Sequence, residues 1–447
     1  MQSQRASRAT NKQKKCYNHH RNKFHGNIIL ENGLSLLKKY DLIVIGAGAS
    51  GMIASITSAR DSKKVLLLEK LPQIGAKLKA SGGGRCNLTN TLSQDEFMSH
   101  FGRDGRFMQD ALKSFSNKEL IDFFKTIGVD TDALDGFRVF PTSHNSSTII
   151  SALKDEMQRL GVEVKTSQKV KKLLEENSEI IGVKTQTDTF YAPNVILSTG
   201  GLGYPTLGSE GDGYTMAEEL GHKTTKLYPA MMPLKTKESW VQNCRADTIP
   251  KATIRIDIKK HKKLKASGDL IFTKNGIRGP VVLDFAREIT PLFDNYDEIP
   301  LLVNMTKGLN EEQILLHLQQ KALKEPDADM VTLLSTLLPA SISKELLLLC
   351  DVDAGTTFKK VNGKAKAKLI NYLSWTPLTI TGHDGFKMAM VTRGGINLKE
   401  IEPKTMQSKL VKGLYFCGEI VNLDGPCGGY NLQWAFSSGY LAGKSIT

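Results

Sequence analysis

Residues 41–51 read DLIVIGAGASG, and they are followed by the helix-forming segment MIASITSAR and a second apolar run, Val65–Leu68. The segment DLIVI is nearly all apolar, which is typical of a strand buried on both faces of a parallel sheet. Glu69 follows the second run, eighteen residues beyond Gly51. This order of strand, G-x-G-x-x-G turn, helix, strand and acid predicts a dinucleotide-binding α/β fold.

Each part of this motif has a physical reason. The first glycine permits the tight turn, the second lets the backbone approach a pyrophosphate, and the third lets helix and strand pack closely. The helix N-terminus offers free N–H groups to phosphates. The acid accepts hydrogen bonds from ribose hydroxyls, and its charge argues against NADP at this site. The residues predicted to contact the dinucleotide here are Gly46, Gly48, Ala49, Ser50, Gly51, Glu69 and Lys70.

A second glycine-rich segment, GAKLKASGGGRCNLTN at residues 75–90, favours FAD over NAD. An NAD dehydrogenase has no evident need for it, whereas FAD is long and its flavin end must also be approached by backbone. The alternative is a flexible linker, but linkers rarely interleave glycine with Lys, Arg, Asn and Thr. The residues predicted to contact FAD here are Lys77, Ser81, Gly82, Gly83, Gly84, Arg85, Cys86 and Asn87.

Two later segments support the same prediction. Three short antiparallel strands, in VEVKTSQKVKKLL, EIIGVKTQ and TFYAP, precede the apolar run NVILSTGG at 194–201. Near the C-terminus, GLYFCGE at 413–419 is followed by the turn DGPCGGYN, which opens a helix whose positive end suits a reduced flavin. Glu419 is predicted to hold the ribitol chain. The contacts predicted in these segments are Thr199, Gly200, Gly201, Gly418, Glu419, Gly428, Gly429, Tyr430 and Asn431.

From about Tyr40 to the C-terminus the chain resembles the BaiN/aminoacetone-oxidase-like bacterial flavoproteins, often labelled NAD(FAD)-utilising dehydrogenases. The segments that carry the resemblance are YDLIVIGAGASG, GAKLKASGGGRCNLTN, RVFPTSHNSS, GGLGYPTLGSEGDGY, LIFTKNGIRGP, MVTRGGI and GLYFCGEIVNLDGPCGGYNLQWAFSSG. The resemblance implies bound FAD and three domains, and it leaves the substrate open. One departure is Cys427, which stands where the resemblance implies threonine.

The predicted fold is a Rossmann-like FAD-binding α/β domain of glutathione-reductase type, interrupted by a β-rich domain that carries a small helical insertion. The FAD domain is predicted at 40–227 and 394–447, and the β-rich substrate domain at 228–306 and 372–393. Leucines at helical spacing place the insertion at 307–371. Residues 1–39 are predicted to be a disordered basic tail.

The composition indicates a cytoplasmic protein. No apolar segment is long enough to cross a membrane, and the six cysteines include no C-x-x-C pair, which fits a reducing cytosol. The formal net charge is +14, of which residues 1–39 carry +8 and the remaining 408 residues +6. This modest excess outside the tail does not favour a nucleic-acid partner.

Candidates for chemistry are few. Arg85 and Cys86 follow the glycine run, and an arginine beside a cysteine can favour the thiolate, although a buried inert cysteine is the commoner case. Arg393 precedes two glycines and is a candidate for holding an anionic group. Cys417 and Cys427 are a conceivable redox pair. Three histidines, His144, His222 and His383, are candidate bases by residue type alone.

The favoured function is an FAD-dependent oxidoreductase acting on a small molecule, either a dehydrogenase or reductase or an amine oxidase. The chain has no second complete G-x-G-x-x-G, so NAD(P)H, if used, visits the flavin transiently. Two alternatives stay open: an RNA-binding flavoprotein that modifies tRNA, and a flavin-binding sensor without turnover. The sequence does not determine the substrate, the electron acceptor or the oligomeric state.

Overall fold

The computed structural model describes residues 40–447. Its strands, in chain order, are β1 (Leu42–Ile45), β2 (Val65–Leu68), β3 (Thr89–Asn90), β4 (Thr131–Asp132), β5 (Arg138–Pro141), β6 (Glu163–Lys165), β7 (Val170–Glu176), β8 (Glu179–Thr185), β9 (Thr189–Tyr191), β10 (Val195–Leu197), β11 (Tyr228–Ala230), β12 (Leu234–Thr236), β13 (Thr248–Ile256), β14 (Lys265–Thr273), β15 (Gly276–Arg278), β16 (Ile299–Asn304), β17 (Thr376–Gly382), β18 (Val391–Arg393) and β19 (Leu414–Phe416). Its α-helices are α1 (Ala49–Arg60), α2 (Ala76–Ala80), α3 (Gln94–Ser99), α4 (Gln109–Ser114), α5 (Asn117–Thr126), α6 (Ser146–Arg159), α7 (Asp212–Glu218), α8 (Pro280–Ile289), α9 (Glu311–Lys324), α10 (Met330–Leu334), α11 (Ala340–Leu349), α12 (Gly363–Ser374) and α13 (Tyr430–Lys444).

A five-stranded parallel sheet in the order β19-β10-β1-β2-β6 forms the centre of the nucleotide-binding half. Strands β1, β2, β10 and β19 are fully buried, as their apolar runs predict. The predicted α/β class is therefore confirmed. One detail of the prediction is wrong: β6 pairs in parallel with β2 as the sheet edge, and the antiparallel meander consists of β7, β8 and β9 alone.

Helices α1 and α13 pack against each other at very short distance. The side of α13 that faces α1 carries two glycines, and a Cβ atom at Gly439 would lie 2.3 Å from the Ser50 carbonyl oxygen. A Cβ atom at Gly443 would lie 2.5 Å from the Ala54 carbonyl oxygen. The chain's first and last helices of this half are thus joined by backbone packing that only glycine permits.

The second half is a closed β-barrel in the order β12-β15-β14-β13-β16-β17, with β17 pairing back to β12. Helix α8 buries one apolar face against the barrel, through Val281, Val282, Phe285, Ala286 and Ile289. Helices α9–α12 are inserted between β16 and β17, and their buried leucines join the hydrophobic core of the barrel. A β-rich domain with a helical insertion is therefore confirmed.

The chain passes between the two halves through a two-stranded antiparallel ribbon, in which β11 pairs with β18. The limits predicted at residues 228 and 393 lie in this ribbon, and the residue-level domain boundaries stay predictions. The predicted tail at 1–39 lies outside the described residues. Within residues 40–447, no helix combines the length and the apolarity needed to cross a bilayer.

The close packing of α1 and α13 predicts a cost for the smallest added side chain. We expect Gly439→Ala to lower the free energy of unfolding by about 1–3 kcal/mol, because the added methyl group forces the two backbones apart. Gly363→Ala is the matched control, since a Cβ atom there has no neighbour within 4 Å and its φ is not in the left-handed region. Urea unfolding measures both variants, and equal midpoints for the two would contradict the packing argument.

Candidate active site

The G-x-G-x-x-G turn between β1 and α1 leaves open space beside its second glycine. Gly46 has a φ of +102°, in the left-handed region. A Cβ atom at Gly51 would lie 1.9 Å from the Gly46 carbonyl oxygen, so this glycine is required for packing. A Cβ atom at Gly48 would meet nothing within 4 Å. The space beside Gly48 is thus available to a ligand, as predicted for a pyrophosphate.

Two helix N-termini without side-chain caps open toward one cavity. Helix α1 starts after Gly48 and α13 after Gly429, and neither has a side-chain cap or an acid in its first turn. The first-turn N–H groups of both helices are therefore donors without helical partners, which attract anionic or acceptor groups. The Asn87 amide, oriented to satisfy its neighbours, accepts the Gly429 N–H at 3.0 Å and so links the second glycine-rich segment to the turn that opens α13.

The cavity has a volume of about 1120 Å³, larger than a typical single-ligand pocket of roughly 300–1,000 Å³. It reaches from the turn after β1 to the wall of the β-barrel half. The predicted residues that line it are Gly46, Gly48, Ala49, Ser50, Glu69, Lys70, Lys77, Ser81, Gly82, Gly83, Arg85, Asn87, Thr199, Gly200, Glu419, Gly428, Gly429 and Asn431. The barrel half contributes Met231, Pro280, Leu283, Asp284, Met390 and Val391.

The charged groups of the cavity are held in place by neighbouring backbone and side chains. Glu69 accepts the Ala47 N–H at 2.8 Å and the Leu71 N–H at 2.9 Å, which fixes its carboxylate at the end of β2. Glu419 pairs with Lys77 at 2.6 Å and accepts the Thr392 N–H at 2.8 Å. These contacts preorganise the carboxylates for which ribose and ribitol roles are predicted.

Six of the predicted contact residues do not line the cavity, namely Gly51, Gly84, Cys86, Gly201, Gly418 and Tyr430. Gly51 is needed for packing instead. The space beside Gly201 is occupied by the side chains of Thr392 and Glu419. A Cβ atom at Gly418 would collide with Ser50. Tyr430 is buried among aromatic rings, 5.0 Å from the Phe97 ring centroid.

Cys86 is a buried core residue, which is the commoner case named above for such a cysteine. The side chain is fully buried, and burial raises the pKa of the Cys86 thiol to about 12. The adjacent Arg85 turns away from it and stacks over the Phe140 ring at 5.1 Å. Cys417 and Cys427 are both free thiols, and burial raises the pKa of each.

The other catalytic candidates lie outside the cavity. Arg393 donates to Glu288 at 3.0 Å and to the Arg287 carbonyl at 2.9 Å, so its charge is already paired. His144, His222 and His383 are also absent from the lining. His222 is buried between Glu400 and Ser408, where burial lowers its pKa, which indicates a structural role.

Sequence reasoning missed several ionisable groups of the cavity, and one of them, the carboxyl of Asp284 on α8, belongs to the barrel half. Its Oδ1 accepts the Cys427 N–H at 2.6 Å, so the carboxyl faces the turn that opens α13. Burial raises the pKa of Asp284. The residue shares its helix face with Pro280 and Leu283, which also line the cavity. Helical spacing after the GIRGP segment was the signal, but only the fold shows which half of the molecule this face meets.

The donor set fits FAD. Gly48 leaves open space that a Cβ atom would fill, two free helix N-termini face the cavity, and the Arg85 guanidinium adds a positive charge. A nucleotide-binding sheet whose cavity continues to a second domain is typical of FAD-dependent oxidoreductases, and this chain is one. More narrowly, the chain belongs to the family described as HI0933-like protein Rossmann domain, whose model matches residues 40–445.

Two relatives and one solved structure are similar to this chain. It is 31% identical to a 3-dehydro-bile acid delta(4,6)-reductase of Clostridium scindens over 90% of this chain and 98% of the relative. It is 29% identical to a ribosomal RNA dihydrouridine synthase of Haemophilus influenzae over 91% of this chain and 98% of that relative. A 3-ketosteroid delta1-dehydrogenase of Sterolibacterium denitrificans has the same fold, with a TM-score of 0.51 and 12% identity over 91% of this chain and 99% of that one.

The open space at Gly48 predicts a variant that folds but loses its cofactor. We expect Gly48→Ala to keep the unfolding midpoint of the cofactor-free protein, because the added methyl group has no neighbour within 4 Å. The same methyl group occupies the space needed by a pyrophosphate, so the FAD bound per chain should fall at least tenfold. Flavin absorbance of the purified protein gives the occupancy, with Gly363→Ala as the control. Full FAD occupancy in Gly48→Ala would contradict the assignment of this turn.

Proposed function

We propose that the chain is an FAD-dependent reductase that saturates a carbon–carbon double bond conjugated with a carbonyl group. The observation that carries the proposal is Asp284, an acid with a raised pKa on the barrel wall of the cavity. Its Oδ1 accepts a hydrogen bond from the Cys427 N–H in the turn that opens α13. The turn belongs to the nucleotide-binding half and the acid to the other half, so a substrate between them meets both.

The reaction needs a hydride and a proton. When bound, FAD supplies the hydride. The hydride adds to the carbon remote from the carbonyl, and the carbon next to the carbonyl then takes a proton. A carboxyl group whose pKa is raised by burial holds its proton nearer to neutral pH and can donate it. Asp284 donates that proton in this proposal.

The surroundings of Asp284 support this role. Leu283, Met231 and Met390 of the barrel half line the same cavity, and apolar walls exclude water and disfavour the charged carboxylate. Asp424 is a second acid near this helix, and burial raises its pKa too. It pairs with Arg287 at 3.1 Å and does not line the cavity, so it lacks access to substrate.

The relatives support the same chemistry. A delta(4,6)-reductase of a 3-dehydro-bile acid and a dihydrouridine synthase both saturate ring double bonds, by the meaning of their names. A 3-oxo group and the uracil carbonyl each make such a bond electron-poor. The BaiN-like assignment is part of this proposal. NAD(P)H is the proposed electron donor, bound transiently because the chain has a single complete G-x-G-x-x-G.

Anaerobic mixing of the flavin-loaded protein tests the proposal. We expect NADH or NADPH to bleach the flavin, and a 3-oxo-Δ4 steroid or uridine to restore its colour faster than buffer alone. The readout is flavin absorbance in two successive mixing steps. Bleaching by a primary amine but not by either nicotinamide would instead indicate an amine oxidase and overturn the proposal.

Replacing the proposed proton donor should slow one half of the reaction. We expect Asp284→Asn to slow flavin reoxidation by the double-bond substrate by roughly 10²- to 10⁴-fold, the usual contribution of general acid catalysis. Bleaching by NAD(P)H should stay near the wild-type rate, because hydride delivery to the flavin requires no proton from this carboxyl. This internal control separates loss of the acid from misfolding. Equal slowing of both steps would contradict the assigned role.

The raised pKa of Asp284 predicts how the stability and the activity of the wild-type protein change with pH. The native state holds this proton more tightly than the unfolded chain, so the free energy of unfolding falls as pH rises toward the raised native pKa. The rate of substrate reduction should fall over the same pH range, because Asp284 loses the proton that it donates. Asp284→Asn has no charge to bury and should resist urea better than the wild type at alkaline pH, with a difference that narrows toward acid pH.

A further inference from the structure

The positive charge outside the tail is confined to one half of the molecule. The segments 40–227 and 394–447 hold 27 basic and 27 acidic residues, a net charge of zero. The segment 228–393, which forms the barrel and its insertion, holds 24 basic and 18 acidic residues, a net charge of +6. The excess of +6 outside residues 1–39 therefore lies on the barrel half and is not spread over both halves.

Most of the excess lies at one loop. The hairpin that joins β13 to β14 reads KKHKKLK at residues 259–265, and we call its lysines the basic hairpin. They are Lys259, Lys260, Lys262, Lys263 and Lys265, and all five are exposed. Within residues 40–447, none of these five ammonium groups has a carboxylate within ion-pair distance. Asp257 is the only acid between residues 248 and 268.

Aromatic rings flank the basic hairpin. The His261 ring meets Tyr296 edge to face at 6.0 Å between centroids, and the Arg255 guanidinium lies 4.0 Å from the centroid of the Trp375 ring. Both aromatic residues are partly exposed. Unpaired cations beside exposed rings and a stacked arginine suit a ligand with phosphates and flat bases.

We propose that the basic hairpin is an RNA-binding surface that contacts the phosphate backbone. An anionic membrane fits less well, because the two apolar residues of the loop, Ile258 and Leu264, pack against the barrel core and are not free to insert. The inference rests on the proposed function, because the uracil ring contains the conjugated double bond that the flavin half is proposed to reduce. The RNA is then held by the half that carries the acid.

Fluorescence anisotropy with a labelled, uridine-containing stem–loop RNA tests the surface on the full chain loaded with FAD. The test variant is Lys259→Gln, Lys260→Gln, Lys262→Gln, Lys263→Gln and Lys265→Gln combined. The matched control changes five exposed lysines of the nucleotide-binding half to glutamine, namely Lys171, Lys172, Lys184, Lys399 and Lys404. Both variants lose the same charge, and both keep residues 1–39.

We expect the test variant to bind RNA at least tenfold more weakly at low salt, and the control less than threefold. In the test variant, the plot of log affinity against log salt concentration should be less steep by up to about 3.5, because each lysine that contacts one single-strand phosphate contributes about 0.7 to the slope. Equal affinities and slopes for the test variant and the wild type would overturn the proposal. So would binding to phosphatidylserine vesicles without binding to RNA.

Reduction of a 3-oxo-Δ4 steroid separates this inference from the proposed function. The basic hairpin is not placed in the cavity, so the test variant should oxidise its reduced flavin with the steroid at the wild-type rate. RNA binding through the hairpin, in a protein that reduces neither steroid nor uridine, would overturn the proposed function and leave the surface intact. Steroid reduction with hairpin-independent RNA binding would overturn the surface alone.

Discussion

Free N–H groups at two helix N-termini are the constraint that organises this molecule. Helices α1 and α13 begin after glycines, without side-chain caps, and their first-turn donors open into one cavity. Donors that face a cavity need acceptors from outside the chain, and phosphate and flavin oxygens are such acceptors. The parallel sheet aligns the turns, the glycines at 439 and 443 bring the two helices together, and the barrel closes the cavity.

The sequence predicts those parts of the site whose signals are local. A glycine turn between an apolar run and a helix is encoded within about twenty residues, so the fingerprint and the C-terminal turn could be located. Contacts between residues that are distant in the sequence could not be predicted in this way. Arg393 is paired with Glu288, Cys86 faces the core, and Asp284 meets the turn at Cys427, 143 residues away. Nothing in the local pattern of these residues shows what the fold places opposite them.

The two halves divide the chemistry. The nucleotide-binding half carries no net charge, and nine glycines of this half line the cavity, where they let a fixed cofactor approach the backbone. The barrel half contributes the carboxyl of Asp284 to the cavity and carries the basic hairpin on its surface. Relatives that cover nearly the same length carry the names of a bile acid reductase and an RNA-modifying enzyme. When one half keeps the same cofactor and the other half varies, relatives of the same fold can act on different substrates.

The interruption of the sheet has a consequence for biosynthesis. Strand β19 and helix α13 follow the whole barrel and its insertion in the chain, yet β19 pairs with β10 and α13 packs on α1. A ribosome therefore completes the barrel and its insertion, which form one continuous segment of the chain, while the sheet still has an unpaired edge and the cavity still lacks the turn that opens α13. Vectorial folding would shape the recognition half first, and FAD could be captured only after the last segment had emerged.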